Sequence, residues 1–150
     1  MQSTEMATLA ERLCEALATR DYERFTREFA NEAIFEIPFG PEGGVALKGL
    51  PEIEAHFARV AASPLGKLIQ IEKISSVQHP HSGPSDSFTL EYFVDGESVR
   101  TKERFKIQSS IAVIEVKDGK IVRYKDFPNT LGLVAAAGIL PQFAAGLSKD

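Results

Sequence analysis

The chain has 150 residues, 43% of them hydrophobic and 25% charged, with a formal charge of −4. That length suits one domain, residues 1–150, with a single core. The acidic balance, with Lys and Arg scattered among acids, gives no electrostatic reason to expect nucleic acid or an anionic membrane as partner. The single cysteine, Cys14, excludes an internal disulfide and fits a reducing compartment. It falls in a predicted helix and reads as packing. The N-terminus lacks a signal peptide's basic start and apolar run, and no apolar stretch reaches the roughly 20 residues that span a bilayer. The expected location is the cytoplasm.

In chain order, Met6, Leu9, Leu13 and Leu17 recur three or four residues apart and predict an amphipathic helix from Ser3 to Thr19. Asp21 reads as the N-cap of a short second helix with Phe25 and Phe29 on one face. Ala33 to Phe39 is strand-like, and its Pro38 suits an edge. Gly40 to Gly44 reads as a loop. Pro51 then fits the start of a third helix, with Ile53, Phe57 and Val60 on its buried stripe, which stops near Ser63-Pro64. His56 on this helix reads as a surface residue.

Strands follow at Leu68–Val77, Ser87–Val94, Val99–Val116 and Lys120–Phe127, with Asp95-Gly96 and Asp118-Gly119 as hairpin turn signals. His79 to Pro84 reads as a polar loop; His79 and His81 lack a third ligand at a supporting spacing, so no metal site is expected. The small, apolar tail from Thr130 to Gly146, broken at Gly138 and Pro141, suits a short closing helix. Helices followed by hairpin-linked antiparallel strands make the class α+β, and a bent sheet around a long helix uses every part.

Particular strings narrow the choice. Asn31 to Gly40, followed by Lys48-Gly49-Leu50-Pro51-Glu52-Ile53, resembles the strand–loop–helix unit of ketosteroid isomerases. Val116 to Phe127 is similar to the closing hairpin of SnoaL-like proteins, and the continuation through Pro128-Asn129 and Gly138 to Pro141 resembles the phenazine-biosynthesis A/B tail. The resemblance implies the nuclear transport factor 2-like cone, a bent antiparallel sheet wrapped around N-terminal helices. That scaffold carries many reactions, so it leaves the activity open.

The departures matter as much. The isomerase base is replaced by Ile37, and its oxyanion-hole acid and tyrosine by Ala112 and Leu13. Standard steroid isomerisation is therefore not expected. Compared with limonene epoxide hydrolases, Arg104 and Asp126 match, while Lys106 replaces an aspartate, and Phe35 and Ile37 replace the water-holding tyrosine and asparagine.

What remains is Asp126, placed where the resemblance to SnoaL-like cyclases implies an acid/base. Strand alternation sets Tyr124 on its face. On that basis Asp126 is expected to shuttle a proton, and Arg104 with Tyr124 to orient the substrate or stabilise developing negative charge, with Phe35, Ile37, Phe39, Phe57, Lys106, Ala112 and Ile114 as the expected substrate-binding residues. Burial there would raise the carboxyl pKa, and a neighbouring Arg104 or Lys106 would lower it. Lys106 and Gln108 share the face of Arg104 if the strand is regular. The alternative for Asp126 is a structural pair with Arg104.

The expected activity is isomerase-, cyclase- or dehydratase-type acid/base chemistry on a small apolar carbonyl or polycyclic molecule, with no metal or organic cofactor implied. A non-catalytic small-molecule binder and a pure dimerisation module remain open. Ile111-Ala112-Val113-Ile114 is apolar on both strand faces, which predicts a homodimer through the outer face of the sheet.

Overall fold

A computed structural model describes residues 1–148. Helix α1 (Ser3–Ala18) forms where its apolar spacing demands, and Met6, Leu9, Ala10, Leu13 and Ala16 bury one face. Helix α2 (Tyr22–Thr26) is capped by Asp21, whose carboxylate accepts from the Arg24 amide at 3.1 Å. The helix is too short to carry Phe29, which instead opens strand β1 (Phe29–Ile37).

After the predicted Gly40–Gly44 loop comes a further short strand, β2 (Val45–Lys48), which pairs antiparallel with β1 and takes the sheet edge expected for the Pro38 strand. Helix α3 (Leu50–Ala62) has Pro51 in its first turn and ends before Ser63-Pro64, burying Ile53 and Phe57. His56 on α3 is half-buried rather than on the surface, with its ring 5.1 Å from that of Phe57.

Strands β3 (Ile69–Pro80), β4 (Asp86–Ser98), β5 (Arg104–Lys117) and β6 (Lys120–Pro128) complete a six-stranded sheet of order β2-β1-β6-β5-β4-β3. All pairs are antiparallel except β1 with β6. His79 and Pro80, expected in a loop, belong to β3. The β5–β6 turn falls at Asp118-Gly119, whose positive φ values of 52° and 77° are those of the expected hairpin turn.

Asp95-Gly96 does not turn. Both residues lie inside β4, with Gly96 opposite Phe105 on β5 and Ile71 on β3. A Cβ at Gly96 would stand 2.6 Å from the Gln70 carbonyl oxygen and 3.1 Å from the Phe105 ring. The glycine is there for close approach within the sheet, which is its other meaning in a strand.

Two short helices follow, α4 (Thr130–Ala136) and α5 (Leu140–Leu147). Ser98, wholly buried at the end of β4, donates to the Ala137 carbonyl at 3.0 Å and accepts from the Thr101 amide. That clasp holds the tail against the β4–β5 hairpin. Among the described residues no helix is long and apolar enough to cross a membrane.

Candidate active site

Strand β6 sets Tyr124 and Asp126 on the inner face of the sheet, opposite Ile114 and Ala112 of β5, which are fully buried. Leu90 and Tyr92 of β4 belong to the same face, since Leu90 pairs with Ala112 and Tyr92 with Ser110. Ser110 and Ala112 are small, so the two tyrosines reach across β5. The Tyr124 hydroxyl donates to the Tyr92 hydroxyl at 3.1 Å.

Two hydroxyls carry two protons, and this bond uses one. Among the described residues no other hydrogen bond involves either hydroxyl, so one donor proton stays available. Burial raises both tyrosine pKa values, and a charge on Asp126 raises them further. Both are therefore neutral donors at neutral pH.

Asp126 is half-buried and makes no side-chain hydrogen bond or ion pair among the described residues. Loss of hydration alone pushes its carboxyl from 3.8 up to about 7. An unpaired carboxyl that titrates near neutrality, beside two neutral hydroxyls, is equipped to give and take a proton while a hydroxyl holds an oxygen.

The expected partner Arg104 is elsewhere. A bulge in β5 pairs Tyr92 with Ser110 but Phe93 with Gln108, so Ser109 is extra. Regular alternation would have put residues 104, 106 and 108 on the face of Ala112. The extra residue turns them to the opposite face. Arg104 is exposed and forms a two-point ion pair with Glu72. It also lies eight residues before Ala112, roughly 25 Å along the strand. Arg104 therefore makes no pair with Asp126 and does not stand beside it in the sheet. Lys106 is exposed on that outer face and Gln108 bonds to Glu91 there, so neither lines the inner site.

The proposed wall residues divide. Phe35 lies flat on Tyr124, with centroids 4.9 Å apart and planes at 9°. Phe57 meets Phe35 edge-on at 5.4 Å, so these rings fill core space beside Tyr124 instead of bounding a void between them. Ile37 follows Glu36, the partner of Lys125, and so continues the parallel register to the position beside Asp126. Phe39 is 73% exposed and packs against Phe127, whose position on β6 faces outward. It does not reach the inner site.

Sequence reasoning missed Tyr92. Its signal was present in the alternation Phe88, Leu90, Tyr92, Val94, which is the buried face of β4. A tyrosine on an otherwise apolar stripe needs a partner for its hydroxyl. For metals, no group of three or more His, Cys, Asp or Glu side chains stands together among the described residues.

Residues 10–124 match the SnoaL-like domain family. The uncharacterised protein YesE of Bacillus subtilis (strain 168) is 30% identical over 135 residues, covering 85% of this chain and 88% of that protein. A crystal structure of a Bacillus subtilis protein provisionally named an isomerase superposes with a TM-score of 0.69 at 28% identity, covering 93% of this chain and 97% of the other. A Catenulispora acidiphila protein of ketosteroid isomerase-like fold, crystallised with trimethylamine, gives a TM-score of 0.60 at 15% identity over 87% of this chain and 92% of its own. The fold is thus the expected cone.

Proposed function

Because this chain belongs to the SnoaL-like domain family, we propose that it is an acid/base enzyme that moves a proton on a small, largely apolar, carbonyl-bearing molecule, with no cofactor taking part. Asp126 is the proton carrier. The hydroxyl proton left over from the Tyr92–Tyr124 pair binds the substrate oxygen and steadies the negative charge that develops on it. The observation that carries this reading is the unpaired, half-buried Asp126 carboxyl, whose pKa is pushed to about 7. A group titrating near the working pH is present in both the giving and the accepting form. The isomerase named among the similar structures is compatible with such chemistry. The working form is a homodimer, joined through the outer face of the sheet.

The test is exchange of carbon-bound protons next to a ketone. A neutral cyclic ketone such as 2-tetralone in deuterated buffer is followed by NMR with the wild type and with Asp126→Asn. Wild-type protein should speed the exchange, and the variant should lose roughly 10²–10⁴-fold of that acceleration. If the ketone binds and shifts the Asp126 titration with no exchange, the chain is a binding protein. Equal exchange by both proteins would remove Asp126 from the mechanism.

A further inference from the structure

Strand β3 is a free edge of the sheet, and α1 runs beside it. Between them lies a cavity of about 840 Å³, within the range that holds small organic molecules. Ala7, Glu11, Cys14 and Ala18 line it from one side of α1, at three- and four-residue spacing, and Ser76 and Gln78 from β3. Its floor is polar. Cys14 is buried there with the Ser76 hydroxyl against its thiol, and the Gln78 amide donates to that hydroxyl at 3.0 Å.

This floor adjoins the tyrosine pair. Ser76 stands opposite Tyr92 in the β3–β4 ladder, and burial keeps the Cys14 thiol beside it protonated and uncharged. One sheet row then runs Gln78, Leu90, Ala112, Asp126, strand by strand. Three strand spacings, about 14 Å, separate its ends. The charges on the cavity wall balance. Glu15 is held by Arg24 and Glu72 by Arg104, leaving Glu11 and Lys73, one charge of each sign. The wall offers no net attraction to an ion of either sign.

We propose that the cavity between α1 and β3 is a binding site for a neutral, oxygen-bearing organic molecule, whose oxygen meets Ser76, Gln78 and Cys14 at the floor, one strand away from the buried Tyr92. It goes beyond the reading of Asp126 and the tyrosines as a site and is separable from it.

The test uses three probes of one shape: 2-tetralone, tetralin, which lacks the oxygen, and 1,2,3,4-tetrahydro-2-naphthoate, which carries a charge. Each is titrated into isotope-labelled protein while backbone amide shifts and the Asp126 carboxyl carbon are followed by NMR. 2-Tetralone should shift the amides of Cys14, Ser76, Gln78 and Tyr92. The other two should bind at least roughly 10-fold more weakly. Ser76→Phe, which fills the floor, should abolish the ketone shifts; Ser76→Thr, a smaller change, should weaken them if the larger variant does not fold. Ketone shifts centred elsewhere, undiminished shifts in a folded Ser76→Phe protein, equal binding of tetralin or the carboxylate, or no shift at all would each overturn the site. The Asp126 carbon separates the two readings. Titration near 4 defeats the acid/base proposal whatever the cavity binds, whereas titration near 7 with shifts outside the cavity defeats the cavity alone.

Discussion

The hydroxyls of Tyr92 and Tyr124 meet 3.1 Å apart, linking β4 to β6 across the intervening β5. Both side chains are almost wholly buried, so each hydroxyl depends on the other. Tyr124→Phe leaves the Tyr92 hydroxyl buried without a partner, at a cost of about 1–3 kcal/mol, and Tyr92→Phe does the same in reverse. The double variant removes both polar groups and should lose less than the sum of the single variants. Chemical denaturation of all four proteins measures the coupling. Strict additivity would mean that the hydroxyls do not support one another.

Asp126 makes stability depend on pH in the direction opposite to a salt-bridged carboxylate. Its folded pKa is about 7 against an ordinary 3.8. Between those values the folded chain keeps the proton and the unfolded chain has released it, so stability falls as pH rises through the window and levels off above it. Asp126→Asn abolishes this loss. The variant should match the wild type near pH 4 and exceed it at pH 8, by on the order of 2–4 kcal/mol. Had the carboxylate been paired with Arg104, the same substitution would lower stability at neutral pH. Denaturation midpoints at the two pH values decide, and an Asn variant less stable at pH 8 would show that Asp126 has a cationic partner after all.

The limits of the sequence lie where local pattern and tertiary geometry part. Helix α1, helix α3 and the Asp118-Gly119 turn follow from periodicity, a proline near the helix start and a glycine at positive φ, all of which act within a few residues. The inward side of β6 was legible for the same reason, because Tyr124 and Asp126 are two residues apart in a regular strand. The position of Arg104 was not, because one extra residue at Ser109 reverses every side chain before it. A single sequence carries no mark of such a bulge. Tyr92 was missed for a different reason: its role arises only where it meets a residue 32 positions away.

Gly96 tests the distinction between a turn and a close approach. A glycine in an exposed type I′ turn accepts alanine at the cost of backbone strain alone. In β4 an added methyl would instead be forced against the Gln70 carbonyl oxygen at 2.6 Å. Gly96→Ala should therefore push β3 away from β4 and cost about 1–3 kcal/mol. Faster amide exchange should appear along Ile69–Ile71. A variant of unchanged stability and unchanged exchange would mean that the strands do not approach as closely there.

The outer face of the sheet leads to an expectation about assembly. Val77 of β3 faces Glu91 of β4, Glu91 faces Ile111 of β5, and Ile111 faces Phe127 of β6, against which Phe39 packs. Val77 and Ile111 remain 46% and 36% exposed and Phe39 more so, although all three are apolar. Apart from Glu91, which His79 and Gln108 hold, the row is apolar, which is unusual for a face that meets only water, where antiparallel strands carry polar residues. Covering it with a second copy about a two-fold axis buries the same row from both partners, each Å² of apolar surface contributing about 25 cal/mol before the entropy of association is deducted. Sedimentation should then find a dimer at micromolar concentration, with a melting temperature that rises with protein concentration. Ile111→Lys replaces the central apolar side chain of the row, beside Glu91, with a second charged one and should raise the dimer dissociation constant by roughly 10–100-fold. Its effect on the inner core should be small, because Ile111 points away from Ala112 and Asp126. Wild-type protein that sediments as a monomer throughout this range would leave the apolar row without a self-partner and refute the dimer.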